Sequence, residues 1–373
     1  MMNIAMFGHK IVPSREGGIE VAVGKLVSRM AAKGHHVTCF NRIQRHTQNI
    51  TSSLSSISGV DLRSVWTIDK RGISAVTSSI SAAIEATLGK YDIVHIHGEG
   101  PAAMCWLPRI FGRKVVVTIH GLDWKRAKWG KFASSYIHLG ERIGTRFANK
   151  IIVLSESDKE YFLNQYGKKA VLIPNGVEPH TRQNADLITT KWGLKKDSYV
   201  LFVGRIVPEK GLEQLIEVWN SIHTDKKLVI AGKASDSEPF LNRLKAVSSD
   251  SVIFTDFVEG QALAELFSNA YFYCLPSQLE GMPISLLEAM SYGNCCLVSD
   301  IPGCLESVGS SAMVFRHNDI VDFKRKILKL LECPNLVEKY RFMANEHIKG
   351  MCNWDWVTAK TLELYTSLTK GQT

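Results

Sequence analysis

The chain has 373 residues, 45% of them hydrophobic and 22% charged. That is enough apolar material for two ordinary domains, and it excludes a disordered, collagenous or coiled-coil protein. The net charge of +9 is uneven: residues 1–180 hold 24 Lys and Arg against 13 Asp and Glu, whereas residues 181–373 hold 21 against 23. One half therefore carries the whole excess, which points to a polyanionic partner for that half, nucleic acid or an acidic membrane surface.

No apolar run reaches the ~18–20 residues that span a bilayer. The best one, Pro101 to Gly112, is interrupted by Pro108 and Arg109. Met1 to Gly8 lacks the basic start, long apolar core and cleavage site of a signal peptide, so the expected location is cytoplasmic. Eight cysteines, at 39, 105, 274, 295, 296, 304, 333 and 352, show neither CxxC nor metal-ligand spacing. They read as free thiols, mostly buried, of a reducing compartment.

In chain order, Asn3 to Phe7 predicts a short buried strand, followed by a turn at Arg15-Glu16-Gly17-Gly18. Ile19, Val23, Leu26, Val27 and Met30 then recur at helical spacing up to Gly34, and His36 to Phe40 is the next strand. Asp92–Ile96, Lys114–Ile119 and Ile151–Leu154 are further strands, the last leading into a helix capped by Ser155. The second half repeats this order. Val200–Val203, Lys227–Ala231, Val252–Thr255, Tyr271–Leu275 and Cys295–Ser299 read as strands, with helices at Gly211–Ile222, Gln261–Ser268 and Ile284–Ser291. Pro174-Asn175-Gly176 marks the seam, residues 179–197 a polar connection, and Trp354–Leu368 a closing amphipathic helix. Strands alternating with helices imply an α/β chain with two parallel sheets and a cleft between them. In such sheets ligands bind beyond the carboxyl ends of the strands, so the residues that follow strands carry the chemistry.

Two of those places stand out. Gly204-Arg205 follows a strand, and Glu209-Lys210-Gly211 opens the next helix. An Arg fork and a Lys ammonium there suit a diphosphate, although the pattern is not the phosphate loop GxxxxGK[ST]. The second is Glu280-Gly281-Met282-Pro283-Ile284-Ser285-Leu286-Leu287-Glu288. Gly281 permits close backbone approach, Pro283 suits a first helical turn, and the turn's amides face an anion. Glu288, about one and a half helical turns on, reaches toward a ribose. His95 and His97 are read as pointing to opposite faces of their strand, one to the cleft and one to the core, and hence as no metal pair.

Together these segments resemble the retaining glycosyltransferases of family GT4, which have the GT-B fold, two Rossmann-like parallel-sheet domains facing across a cleft. The carriers are Gly17-Gly18, His95-Ile96-His97-Gly98, Thr118-Ile119-His120-Gly121, Ile173-Pro174-Asn175-Gly176-Val177, Gly204-Arg205 with Glu209-Lys210-Gly211, and Glu280 to Glu288. The implied division is an acceptor-binding domain at 1–175, a nucleotide-sugar-binding domain at 176–350 and a closing helix at 351–373 that returns to the first domain. The resemblance implies that Arg205 and Lys210 hold the donor diphosphate and that Glu288 binds its ribose. It places Glu280 at the donor sugar, with the amides of Gly281, Met282 and Ile284 on sugar and phosphates. It further implies that Gly17 and Gly18 lie over the phosphates, that His120 stands at the reacting face, and that Val258 touches the base through its backbone. Many members read Gly-Phe-Gly after the first Glu; this chain departs with Gly281-Met282-Pro283.

The implied activity is a retaining, metal-independent hexosyl transfer from a UDP-, GDP- or dTDP-sugar to a saccharide hydroxyl. No metal or other cofactor is expected, since no Asp-x-Asp is present. Gly17-Gly18-Ile19-Glu20 after Pro13-Ser14 resembles a bacterial subgroup acting in surface polysaccharide, O-antigen and lipopolysaccharide synthesis. The rival readings are a nucleotide-sugar epimerase of similar fold and a nucleic-acid-binding protein. The latter lacks any recognition signature and is not favoured. The stretch Lys125-Arg126-Ala127-Lys128-Trp129-Gly130-Lys131-Phe132 interleaves four cations with aromatic rings. It is expected to dock peripherally on the anionic cytoplasmic face of the inner membrane, where a lipid-diphosphate-linked acceptor is presented.

Overall fold

The computed structural model describes residues 1–43, 56–70, 72–126, 130–234 and 238–370. The chain divides into two units, Met1–Gly176 with Cys352–Thr373, and Val177–Met351.

The first unit is built on a seven-stranded sheet. Its strands are β1 (Asn3–Phe7), β2 (His36–Arg42), β3 (Val60–Val65), β4 (Ile93–His97), β5 (Lys114–Ile119), β6 (Lys150–Val153) and β7 (Val171–Leu172). They lie in the order β3-β2-β1-β4-β5-β6-β7 and every pairing is parallel. Burial on both faces explains why β1, β4 and β5 read as near-continuous apolar runs. Phe7, Val94, Ile96, Val115, Val117 and Phe162 form the heart of one core. The helix Gly18–Ala32 buries Val23, Leu26, Val27 and Met30, the stripe read from the sequence. The closing helix Trp354–Thr369 packs on it, and Arg29 Nε pairs with Asp355 Oδ1 at 2.9 Å. Its start is capped by Asn353, whose Oδ1 accepts from Trp356 N at 2.8 Å. Ser155 caps Glu156–Tyr166 in the same way.

The second unit holds a six-stranded parallel sheet of β8 (Tyr199–Val203), β9 (Lys227–Ala231), β10 (Val252–Asp256), β11 (Phe272–Leu275), β12 (Cys296–Ser299) and β13 (Met313–Phe315), ordered β10-β9-β8-β11-β12-β13. Its core includes Tyr199, Phe202, Leu215, Trp219, Leu266, Phe272 and Leu286. In each sheet the order reverses beside the first strand, between β1 and β4 and between β8 and β11. Crevices at such reversals, at the carboxyl ends, are where open α/β sheets bind ligands.

Three strands lack the apolar run that marks the others. β3 is an edge strand, Val60-Asp61-Leu62-Arg63-Ser64-Val65, largely solvent-facing and charged, as unprotected edges often are. β7 and β13 are two and three residues long. The polar connection at 179–197 contains a helix, Leu187–Trp192, anchored by Ile188. All eight cysteines are free, as expected; six are buried, Cys352 is half-buried and Cys333 is exposed. Burial pushes the Cys105 and Cys295 thiols up to about 12, so both stay protonated.

Candidate active site

In the second unit, β8 delivers Gly204 and half-buried Arg205 to the reversal. A short 3-10 turn, Pro208–Lys210, then doubles back to Gly211, whose φ of +70° and nearness to the next loop leave no room for a side chain. A Cβ there would stand 2.0 Å from Pro276 O. This close approach seats the turn against the loop that follows β11. Gln278 N donates to Glu209 O at 2.8 Å. Lys210 Nζ pairs with the Glu280 carboxylate, the two side chains being only 12% and 10% exposed. Ser277 Oγ donates to the same carboxylate oxygen at 2.6 Å. Tyr273, buried on β11, donates to Val203 O at 3.3 Å and lies 3.0 Å from Ser285 Oγ, tying the next helix to the end of β8.

That helix is Ile284–Ser291. Pro283 is its cap, extended at φ −73° and ψ 112°, rather than a residue of its first turn. Its own backbone is still extended, and Ile284 is the first helical residue. Gly281 is buried, Met282 and Ile284 are half-buried, and Glu288 is a half-buried residue of the helix. Val258, half-buried just past β10, packs on the core from the other side of β9. Among the described residues no ion pair engages the Arg205 guanidinium. Lys210, Glu280 and the start of the Glu288 helix are thus gathered at the reversal from segments 70 residues apart.

The first unit gathers histidines at its own reversal. Gly8 follows β1 at φ +106°, and a Cβ on it would meet His97 O at 2.1 Å, so the ends of β1 and β4 touch. Gly17 caps the helix Gly18–Ala32, and Glu20 in its first turn accepts from Lys10 N at 2.8 Å, closing the loop between. His97 Nδ1 lies 3.1 Å from His120 Nε2. His95 Nε2 lies 2.7 Å from Thr118 Oγ1, and Tyr365 Oη lies 2.5 Å from His95 Nδ1. The opposite-face reading of His95 and His97 is corrected: residues two apart on a strand share a face, and these rings lie 4.2 Å apart, tilted by 35°. Burial lowers His120 to about 4, with Asp123 and Glu20 opposing the fall and Arg126 adding to it. Burial likewise brings His9 to about 4 and His95 to about 3, and holds His97 well below the usual range. All four are neutral at pH 7.

His9, Glu20, Ser277 and Tyr365 escaped the sequence reading as members of these clusters. Glu20 stood within a quoted motif, and the period of two already placed His97 with His95.

The basic stretch is only partly what it promised. Lys128 and Trp129 lie outside the described residues. Lys125 is exposed but lies over the Trp124 and Tyr161 rings at 5.4 and 5.5 Å. Arg126 is not a free surface cation: its Nε pairs with Asp123 Oδ1 at 2.6 Å and its side chain is 15% exposed. Lys131 and Phe132 open the helix Lys131–Phe147, both exposed, Phe132 to 90%. Beneath the turn, Glu141 accepts from Trp124 Nε1 at 3.1 Å, Tyr161 Oη at 2.9 Å and Tyr166 Oη. Burial first, then Glu141 and Asp123, drives Glu99 far above the usual carboxylate range, so it keeps its proton.

The two halves of the chain also match known families, residues 16–181 as Glycosyltransferase Family 4 and residues 185–347 as Glycosyl transferases group 1. The chain is a glycosyltransferase of the GT-B fold, related to these families. It transfers a sugar from a nucleotide-diphosphate donor. The transferase is 27% identical over 339 residues to an uncharacterized glycosyltransferase of Methanocaldococcus jannaschii, covering 82% of this chain and 83% of that one. It is 29% identical over 264 residues to the UDP-Gal:alpha-D-GlcNAc-diphosphoundecaprenol alpha-1,3-galactosyltransferase of Escherichia coli, covering 65% and 67%. Among solved structures, sucrose-phosphate synthase from Thermosynechococcus elongatus superposes with a TM-score of 0.83 at 20% identity, covering all of both chains. Among the described residues of the transferase, no helix is long and apolar enough to cross a membrane, and no group of three or more His, Cys, Asp or Glu is placed to hold a metal ion.

Proposed function

We propose that this transferase works with retention and without a metal, moving a sugar from UDP, GDP or dTDP to a hydroxyl of a lipid-diphosphate-linked saccharide in bacterial surface polysaccharide synthesis. The observation that carries the reading is the Lys210–Glu280 pair at the β8–β11 reversal, on the turn that follows Gly204-Arg205. In the reaction the bond from the anomeric carbon to the diphosphate oxygen breaks and the acceptor oxygen bonds to that carbon. Arg205, Lys210 and the amides at the start of Ile284–Ser291 offset the charge that builds on the departing diphosphate. Glu288 accepts from the ribose hydroxyls. Glu280, oriented by Lys210 and Ser277, accepts from hydroxyls of the donor sugar. His120, neutral, is assigned to the transferred sugar. The acceptor hydroxyl gives its proton to the leaving diphosphate on the same face, so the carboxylates act in binding and not as hydrolytic acid and base. Incubating the protein with UDP-, GDP- and dTDP-sugars and a diphosphate-lipid-linked saccharide in excess EDTA tests this. An α-linked product from an α-donor is expected; a complete loss that added metal reverses would remove the metal-free mechanism.

The lipid-linked acceptor is supported by the Escherichia coli relative, whose name states a diphosphoundecaprenol substrate, and by the charge of residues 1–180. The docking surface we assign to the cytoplasmic side of the membrane comprises Lys125, Lys128, Trp129, Lys131 and exposed Phe132; Arg126 is spent on Asp123. Each cation near an acidic leaflet contributes ~1 kcal/mol, so neutralising Lys125, Lys128 and Lys131 together should weaken binding about 10²-fold. Liposome flotation measures this. Binding should need anionic lipid and weaken with salt; equal partitioning to neutral and anionic vesicles, or none to either, would overturn the docking.

A further inference from the structure

We propose that His97 is a positioning residue that fixes the tautomer of His120, so that His120 presents Nδ1–H, and not Nε2–H, as its outward donor. This rests on the reading that His120 faces the transferred sugar.

His97 Nδ1 and His120 Nε2 are 3.1 Å apart, and both rings are neutral, so one nitrogen donates and the other accepts. His97 is 1% exposed, and its other nitrogen, Nε2, is buried with no hydrogen-bond partner. Were His120 the donor, His97 would carry its proton on Nε2, as a buried N–H without an acceptor. Were His97 the donor, Nε2 would be only a bare lone pair. Orphaned buried donors are the rarer and costlier of the two. His97 Nδ1–H therefore donates to His120 Nε2, and the His120 proton sits on Nδ1, which no hydrogen bond among the described residues engages.

The surroundings hold His97 in that role. Tyr365 is fully buried, and its burial keeps the phenol protonated, so it donates to His95 Nδ1. His95 then carries Nε2–H and donates to Thr118 Oγ1, which locks its ring. That ring lies against His97 at 4.2 Å, while Gly8 presses on the His97 carbonyl. The charged and titratable groups around the pair are Glu20, Asp123, Arg126, His9 and His95. A retained donor at the Nδ1 position should thus suffice. The amide nitrogen of Asn occupies that position, and Leu fills the space without a donor.

The test is long-range ¹H–¹⁵N correlation of the imidazoles in the ¹⁵N-labelled full chain at pH 7, with kinetics on the same samples. Wild type should show His120 with pyrrole-type Nδ1 and pyridine-type Nε2. His97→Leu should shift His120 toward Nε2–H and lower kcat about tenfold with the donor KM unchanged, whereas His97→Asn should restore both the spectrum and most of kcat. An Nε2–H tautomer of His120 in wild type overturns the proposal, and this holds even if a variant fails to fold. So does a His97→Leu protein with wild-type spectrum and kcat while His120→Ala is inactive. If His120→Ala instead retains full turnover, the sugar-facing role of His120 is what fails, and the proposal falls with it.

Discussion

Lys210→Ala should lower transfer ~10²–10³-fold, the loss typical of one charge-stabilising donor at a developing anion. Glu288→Ala should lower it by a similar factor through lost donor binding. The Lys210 variant carries a second effect that must be separated from the first. Removing the ammonium takes away the cation that faces the Glu280 carboxylate, itself only 10% exposed. Breaking a buried pair on one side destabilises by ~3–5 kcal/mol at full burial, and less at a site edge. The double variant Lys210→Ala/Glu280→Gln neutralises that carboxylate as well. Its melting temperature should recover most of the loss while turnover stays low. If activity returned with stability, Lys210 would be a structural residue, and if both single variants kept wild-type rates at saturating and limiting donor, the donor-site assignment would be wrong.

The first unit should be acid-labile well above the usual carboxylate range. His9, His95 and His120 have folded-state values of about 4, about 3 and about 4, and His97 is also strongly lowered, all chiefly by burial. A base whose pKa is lower in the folded state takes up its proton first in the unfolded state. Stability is therefore intact above the unfolded value near 6.5 and falls as pH drops toward the folded value, by ~1.4 kcal/mol per pH unit and group. Glu99 works the other way. Held protonated by burial and by Glu141, it favours the folded state as pH falls toward its unfolded value of 4.5. Four groups against one leave a net loss of roughly 4–6 kcal/mol between pH 6.5 and 5, an upper figure because the four histidines interact. Urea unfolding at pH 7, 6 and 5, followed by tryptophan fluorescence, reads the loss. A midpoint unchanged across that range would mean that the cluster is protonated or solvated in the native state.

The parts of the fold legible in the sequence are those where one strand or helix decides its own burial. β5, β9 and the helix Ile284–Ser291 have the bounds their apolar runs and turn residues dictate. β3 was not legible, because an exposed charged edge strand has no hydrophobic signature and forms through its pairing with β2. The site divides along the same line. Arg205, Lys210, Glu280 and Glu288 could be named from residue type and position after strands. That Lys210 pairs with Glu280 depends on β8 lying next to β11, which no local pattern states. The membrane stretch failed in one detail for a related reason: Asp123 precedes it by a single turn and captures Arg126. The histidine error was of another kind. The period of two was sufficient to place His95 and His97 on one face, whereas the contact of His95 with Tyr365, 270 residues on, has no local signal.

We assign the β8–β11 reversal of the second unit to a nucleoside diphosphate. Thermal unfolding in the presence of UDP, GDP, dTDP or ADP tests it most directly. A ligand at ~100 times its dissociation constant adds ~2.7 kcal/mol to the state it binds. One of the four should raise the midpoint accordingly, and the shift should disappear in both Lys210→Ala and Glu288→Ala. No shift with any nucleotide, or a shift of wild-type size in both variants, would contradict the assignment.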